Sequence, residues 1–516
     1  MNLGQVVTRS ASYWSDAPAA KDSKRCLSFA ALEAEANRLC TGLMALGYPE
    51  GSHIAIQAPN CTELVACEVA FYKGAMVKVP INARLSAEET VHVVNDSHAV
   101  VLIASARHAA DLAGLRDRMP KLQKIVVIDG DGGDLGYAAL LDMGRPDWQS
   151  LNPPDDALAV LHYTSGSSGV LKAAMQSYGN RRALLRKNLL RMGGVSRVGS
   201  KMGHVGPITH ASGMSLLPML YVGGCNYLFG RFDVEEILST IERERITRIF
   251  FVPTMVTRIL ESGLTGKYDL SSLIDVSYGA APMPPSVVER AIEVFGPILT
   301  NGYGAGETTS TITVLTPADH SAALQGDRTL LTSCGRSYFD CEVLLLKDDG
   351  TEAGLGELGE ICVRGPDIMQ GYWNAPELTA EVLKDGVYHT GDIGRRDENG
   401  YVFIVDRKKE MIISGGFNVY PSEVERAIYR HPEVFEAAVV GVPDDEWGEA
   451  VKAVVVKRKD TALSEAALLD FCRDALPGFK RPRSIDFVEE LPRNPNGKIM
   501  RKKVRDPYWE GAGRNV

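Results

Sequence analysis

The run Tyr163-Thr164-Ser165-Gly166-Ser167-Ser168-Gly169-Val170-Leu171-Lys172 follows directly on an apolar stretch, Ala159 to Tyr163, that reads as a buried strand. Its two glycines free the backbone to turn N–H groups inward, its hydroxyls add donors and its lysine adds charge, which together describe a cradle for phosphate. A flexible linker shares the serine and glycine content, but linkers seldom abut a core strand and end in lysine. A P-loop fails on spacing, because Lys172 stands three residues after Gly169 and is followed by Ala173 rather than by Ser or Thr.

A second cluster, Asn301-Gly302-Tyr303-Gly304-Ala305-Gly306-Glu307-Thr308-Thr309, sets three glycines around one aromatic and one carboxylate. A backbone of this kind can lie against a flat ligand while Glu307 faces a cation, and magnesium prefers carboxylate and phosphate oxygens together. Asp392, in Tyr388-His389-Thr390-Gly391-Asp392, has the chemistry to accept both hydroxyls of a ribose. Lys498 follows an Asn-Gly turn dipeptide near the C-terminus. Taken singly, Asp392 reads as a turn aspartate, Lys498 as a lysine beside an exposed turn, and Glu307 as readily as a solvated turn residue.

The elements that must hold these residues are legible from periodicity. From about residue 53 to 303, short β-rich runs (Ile54 to Gln57, Val100 to Ile103, Ile125 to Ile128, Ala159 to Tyr163, Ile249 to Val252, Val276 to Tyr278) alternate with helical patterns such as Pro285 to Phe295, which predicts an α/β fold with parallel sheets flanked by helices. After about Ser337 the texture changes to β-runs joined by tight turns, Glu342 to Leu346, Glu360 to Val363 and Tyr401 to Val405, which predicts an antiparallel subdomain over about 337–405. Five consecutive charges, Asp406 to Glu410, mark the expected boundary. Domains are therefore expected at 1–405 and 406–516, the second a small α+β unit with helices Pro421 to Arg430 and Ser464 to Ala475 and strands Ala437 to Val440 and Val451 to Val456. A chain of 516 residues exceeds the roughly 250–300 that one core sustains.

Composition excludes some partners. The net charge of −9 and the lack of a long basic block argue against nucleic acid. The most apolar window, around Gly213 to Gly224, falls short of the ~20 residues of a membrane span, and Met1 to Asp16 carries no leader pattern. Nine cysteines without a C-x-x-C pair fit reduced thiols, so a cytoplasmic protein is expected. A homodimer is admitted by the sequence.

In order along the chain, these pieces are a hydroxyl-rich phosphate loop, a Gly-Tyr-Gly turn with Glu, Gly-Asp, a charged Asp-Arg linker and a C-terminal Gly-Lys. The order resembles the acyl-adenylate-forming superfamily of acyl-CoA synthetases, 4-coumarate ligases, luciferases and peptide-synthetase adenylation domains, over roughly residues 10 to 505. The resemblance implies a large N-terminal AMP-binding domain and a small mobile C-terminal domain. It also implies a reaction in which a carboxylate, fatty or aromatic, attacks the α-phosphate of ATP, magnesium-pyrophosphate leaves, and the thiol of coenzyme A then takes the acyl group from AMP.

By the same resemblance Thr164, Ser165, Gly166, Ser167, Ser168, Gly169 and Lys172 hold the β- and γ-phosphates, and Glu307 binds magnesium. Gly279, Ala280 and Ala281 wall the adenine and the acyl tunnel, Asn301, Gly302 and Tyr303 lie against the adenine, and Asp392 with Arg407 grips the ribose. Lys498 is the catalytic lysine, His210 borders and gates the acyl site, Lys409 is the hinge, and Gly415 and Gly416 meet the pantetheine arm.

Three positions depart from the pattern. Leu171 and Ala173 replace a proline and a glycine beside the loop lysine, and Gly306 stands where a threonine usually touches the α-phosphate. Thr308, Thr309 or a water is expected to supply the missing hydroxyl, and the space beside Gly306 is expected to admit a threonine. A carrier-protein phosphopantetheine as acceptor, and a catalytically weakened nucleotide-binding homologue, are the alternative readings.

Overall fold

The structure is a computed structural model that describes residues 2–165, 171–192, 197–444, 446–493 and 499–510, with backbone alone at Ser165. The chain divides into two compact units, Met1–Val343 with Val363–Tyr388, and Leu344–Cys362 with His389–Val516.

The first unit holds two large sheets. One has seven strands in the order Leu135–Gly136, Lys124–Val127, Val101–Ala104, His53–Gln57, Val77–Pro80, Leu158–Ser165 and Leu171–Ser177. Its strands read as near-continuous apolar runs because both faces are covered, as parallel sheets require. Alternate residues divide between two cores: Ile54, Ile56, Val101, Ile103 and Val160 enter one, Ala55, Leu102, Val127, Leu161 and Tyr163 the other. Only the last pair is antiparallel, with Thr164 opposite Lys172.

The other sheet has nine strands, and its centre runs parallel from Leu299–Gly304 through Asp275–Gly279, Arg248–Phe251, Lys201–His204 and Cys225–Leu228 to Pro18–Lys21. Helices Val234–Glu244, Pro253–Glu261 and Pro285–Phe295 bury Ile237, Ile241, Val256 and Val288 against Ile249, Val276 and Leu299. Val234–Glu244 begins where the Asp233 carboxylate accepts the Glu236 amide, and Pro285–Phe295 begins at a proline whose missing N–H is not needed there. The glycine-rich cluster lies at the C-terminal ends of parallel strands, where open α/β sheets bind ligands.

In the second unit Gly448–Lys457 is the central strand of a five-stranded sheet, paired antiparallel with the edge strand Val434–Asp444 and with Ile412–Ser414, and parallel with Ser484–Phe487, while Phe417–Val419 pairs with Ile412–Ser414. Helices Pro421–Ile428 and Glu465–Ala475 cover one face through Val424, Ile428, Leu468 and Cys472. The expected β-runs after Ser337 are strands of a separate five-stranded sheet, in which Val387–Arg396 pairs antiparallel with Val402–Arg407. No helix among the described residues is long and apolar enough to cross a membrane.

One charge cluster fixes the start of the α+β portion. Arg501, at the head of helix Arg501–Trp509, donates to Glu425 at 2.6 and 2.9 Å, to Ser422 at 3.1 Å, to Asp406 at 3.3 Å and to Glu410. The Asp406 carboxylate in turn accepts the Ser422 amide at 2.6 Å. Burial pushes the Glu425 carboxyl above its ordinary range, so its charge depends on the guanidinium beside it. Removing one partner of a buried ion cluster typically costs about 3–5 kcal/mol, because the other charges stay buried. Arg501→Ala is therefore expected to destabilise the second unit by about that amount. Hydrogen exchange of the Ser422 amide, with urea unfolding, measures it; a loss under about 1 kcal/mol would show the cluster to be solvated, as exposed pairs are.

Candidate active site

Thr164 and Lys172, facing each other across the antiparallel pair, are joined a second time through side chains. Glu307 Oε1 accepts from Thr164 Oγ1 at 3.2 Å and from the Tyr372 hydroxyl at 2.8 Å, and that hydroxyl accepts from Lys172 Nζ at 2.8 Å. The Lys172 ammonium also lies 3.9 Å from the centre of the Tyr372 ring. Glu307 is buried, so its carboxylate needs these donors. Tyr388 lies nearby, and burial, then Glu307 and the neighbouring Tyr372 and Tyr303, raises its phenol well above the usual range. Gly166, Ser167, Ser168 and Gly169, the Ser165 side chain and Lys498 lie outside the described residues.

Beside this group the strands Asp275–Gly279 and Leu299–Gly304 end together, with Gly279 opposite Gly302. A Cβ at Gly279 would stand 2.5 Å from the Gly302 carbonyl oxygen, so only glycine permits this close approach. Ala280 then takes φ 68°, turning the chain away from the sheet. Tyr278 and Gly279 thus sit side by side with Asn301 and Gly302.

His210 lies after strand Lys201–His204, its Nδ1 3.0 Å from Thr209 Oγ1. Burial, aided by Lys78, pulls its imidazole down to about 4. Its ring is 5.4 Å from that of His162, edge to face at 65°.

The space beside Gly306 is not open, which overturns the expectation that a threonine would fit there. A Cβ at residue 306 would lie 2.6 Å from His162 Cδ2 and 2.8 Å from Thr164 Cγ2. Nor does Thr308 supply the missing hydroxyl: its Oγ1 accepts the Ala305 amide at 2.9 Å and donates to the Ser310 carbonyl at 2.7 Å, which holds the turn. Thr309 Oγ1 is buried without a hydrogen-bond partner among the described residues.

The second unit holds its candidates in three local arrangements. Asp392 and Arg407 are cross-strand partners, with Arg407 Nε donating to Asp392 Oδ1 at 3.1 Å. Gly391, at φ 73°, makes the bend before Asp392, and its amide donates to Glu360 at 3.0 Å. Lys409 is exposed in the short turn Lys408–Glu410. Gly415 and Gly416, at φ 57° and 81°, form the turn between Ile412–Ser414 and Phe417–Val419, and a Cβ on Gly415 would strike the Trp447 ring at 2.3 Å.

Two other features do not carry the chemistry. Glu360, Cys362 and His389 bring ligand atoms within 4.8 Å of one another, but the Gly391 amide and Lys408 Nζ, 3.7 Å away, already satisfy the Glu360 carboxylate without a metal. A cavity of about 1160 Å³ beside Asn180 and Arg182 is separate from the residues around Glu307, and Arg182 there is paired with Asp155.

Sequence reasoning passed over His162, Gln176 and Tyr372. His162 had a signal, since it and Thr164 alternate with buried Leu161 and Tyr163 and so share the opposite face. Gln176, which donates to the Gly306 carbonyl at 2.8 Å, lies in the strand after the loop without a motif, and Tyr372 lies 200 residues from Lys172.

Comparison with known proteins fits this geometry. Residues 7–373 match the family model described as AMP-binding enzyme, and 423–498 match the AMP-binding enzyme C-terminal domain. A feruloyl-CoA synthase from Amycolatopsis sp is 37% identical over 512 residues, covering 98% of each chain. The medium/long-chain-fatty-acid–CoA ligase FadD8 of Mycobacterium tuberculosis is 33% identical over 488 residues, covering 92% of this chain and 84% of that one. The crystal structure of ATP-bound MatB from Rhodopseudomonas palustris superposes with a TM-score of 0.88 at 28% identity, covering 100% of both chains. On these matches, which cover nearly the whole chain, the chain belongs to the AMP-binding enzyme family, in the acyl-CoA synthetase superfamily of AMP-forming ligases.

Proposed function

We propose that the chain condenses a fatty or aromatic carboxylic acid with ATP to an acyl-AMP, releasing pyrophosphate, and passes the acyl group to coenzyme A, releasing AMP. The observation that carries this reading is the chain Lys172–Tyr372–Glu307–Thr164, which joins a cation and a carboxylate to the two strands that flank the hydroxyl-rich run. Both half-reactions build negative charge on phosphate oxygens, so placed cations and donors supply most of the help. An aromatic acid is favoured by the 37% identity to a feruloyl-CoA synthase. Nine free cysteines, most of them buried, support a reducing, cytoplasmic setting.

In this reading Lys172 and the serine–glycine loop hold the β- and γ-phosphates, Asn301 to Tyr303 and Gly279 to Ala281 line the adenine, and His210 borders the acid. Asp392 takes the ribose hydroxyls, oriented by Arg407. Glu307 fits a hard cation, because Oε1 carries both its hydrogen bonds and Oε2 has no partner among the described residues. Magnesium, when bound, neutralises phosphate charge and eases pyrophosphate departure. Gly415 and Gly416 offer uncovered backbone to the pantetheine arm.

The segment 406–410 has the build of a hinge. Arg501 holds it at Asp406 and at Glu410, while Lys409 between them has no partner among the described residues. Proline at that position would fix φ near −65° and remove an N–H.

Pyrophosphate release screened over short, medium, long-chain and aromatic acids, with and without CoA, tests the function; no acid-dependent release would reject it. Lys498→Ala is expected to lower adenylate formation by a few hundredfold, as loss of one placed charge at a reacting phosphate does at about 3–4 kcal/mol. Thioester formation from supplied acyl-adenylate should be spared, and equal loss in both steps would remove the role from Lys498. Lys409→Pro is expected to give a single-turnover burst of pyrophosphate with little thioester; thioester at the parent rate would make 406–410 an ordinary surface turn.

A further inference from the structure

The face that His162 shares with Thr164 joins the two halves of the candidate site. On one side stand Thr164 and Glu307, toward the phosphate loop, and on the other stands the His210 ring, 5.4 Å away. An acid can be adenylated only where its carboxylate meets the α-phosphate, and that meeting point lies between groups of these two kinds. His162 is thus placed at a junction of oxyanions.

Three features suit it to that place. Neither of its ring nitrogens has a hydrogen-bond partner among the described residues. Protein crowds the ring, and burial first, then His210, Lys78 and Arg181, holds the imidazole well below its ordinary range, so it is neutral and carries one N–H donor. The charges beside it are unbalanced: Glu68 pairs with Lys78 and, at 3.4 Å, with Arg181, which leaves one net positive charge in a low-dielectric region. Arg181 reaches Gln176 Oε1 at 3.3 Å, and Gln176 holds the Gly306 carbonyl at 2.8 Å, so the cluster and the glycine are mechanically linked. A site with a free neutral donor above a net cation attracts an anion.

Gly306 completes the arrangement. An ideal Cβ there would stand 2.6 Å from His162 Cδ2 and 3.3 Å from Nε2, so the imidazole edge fills the volume that any side chain at 306 would need. We propose that His162, through Nε2–H, binds an oxygen of the carboxylate–α-phosphate junction, and that Gly306 is glycine because this imidazole occupies its side-chain space. The residue stays neutral through the step: the carboxylate oxygen forms the bond to phosphorus, the bond to pyrophosphate breaks, and no proton moves. This inference rests on the adenylate-forming reading of the site given above.

The test is a four-variant set, His162→Ala, His162→Gln, Gly306→Thr and His162→Ala with Gly306→Thr, in the full chain. The readouts are acid-dependent ATP–pyrophosphate exchange, thioester formation from supplied acyl-adenylate, and thermal melting. Loss of a hydrogen bond to a charged group corresponds to roughly ten- to a hundredfold, so His162→Ala should lower the exchange kcat by about that factor. His162→Gln, which keeps an N–H near Nε2, should retain most of the rate. Gly306→Thr alone should lose as much as His162→Ala, because hydroxyl and ring compete for one space, and the double variant should regain about tenfold over either single, since the threonine hydroxyl then has room. Melting temperatures should not track the rates. The proposal is overturned if the two single losses multiply in the double variant, if His162→Ala stays within about threefold of the parent, or if His162→Gln is as slow as His162→Ala. Glu307→Gln separates the two levels: if it exchanges at the parent rate, the site reading itself falls, whereas if it is inactive while the His162 set is silent, only this inference falls.

Discussion

A buried carboxylate must be given donors, and in this chain the donors that Glu307 takes come from the two strands that flank the serine–glycine run, Thr164 directly and Lys172 through Tyr372. Leaving such a carboxylate unpaired would cost several kcal/mol, so the two strand ends, Glu307 and Tyr372 are fixed together or not at all. Backbone contacts extend the constraint. Gln370 and Trp373 donate to Met175 and Ala173, Met175 donates to Gly371, and Met369 donates to the Glu307 carbonyl. A segment nearly two hundred residues distant along the chain thereby lies along the strand Leu171–Ser177 and holds the antiparallel pair from outside.

Periodicity made the frame of the fold legible. Strands such as Val101–Ala104 and His53–Gln57 put alternate residues into two cores, and helix Pro285–Phe295 declares itself by its proline start and its apolar spacing. The loop and the glycine cluster were legible for a related reason, since backbone close to a ligand or to another strand excludes Cβ atoms, as Gly279 against Gly302 shows. What stayed hidden was long-range pairing. Nothing local to Tyr372 marks it as the bridge between Lys172 and Glu307, and a lone histidine inside an apolar run such as Leu158 to Tyr163 reads as a core residue until its neighbour across space is known to be a glycine.

Charge is distributed with the same economy in both units. Around Glu68, burial opposes the carboxylate, yet Lys78 and Arg181 outweigh it and keep it ionised, leaving a surplus cation beside His162 and His210. Around Arg501 the balance is reversed, with three carboxylates sharing one guanidinium. The first arrangement carries a surplus of positive charge and the second a surplus of negative charge, so the two clusters are opposite in sign.

The turn after Glu307 carries the same signature in its backbone. Thr309 is β-branched yet sits at φ 53°, a conformation disfavoured for such a residue, and its buried hydroxyl has no partner among the described residues. The next turn residues are held firmly, Thr308 by the Ala305 amide and the Ser310 carbonyl, and Ser310 by Asp367, itself paired with Lys187 at 2.6 Å. Strain of this kind persists only where the surroundings over-determine it. Here they do so on both sides of Glu307, through Gln176 on the Gly306 carbonyl before it and through Asp367 after it. The carboxylate is therefore held at the price of a strained threonine and an empty side-chain position. Both make sense if the turn is shaped for a ligand and for the imidazole of His162 rather than for its own stability.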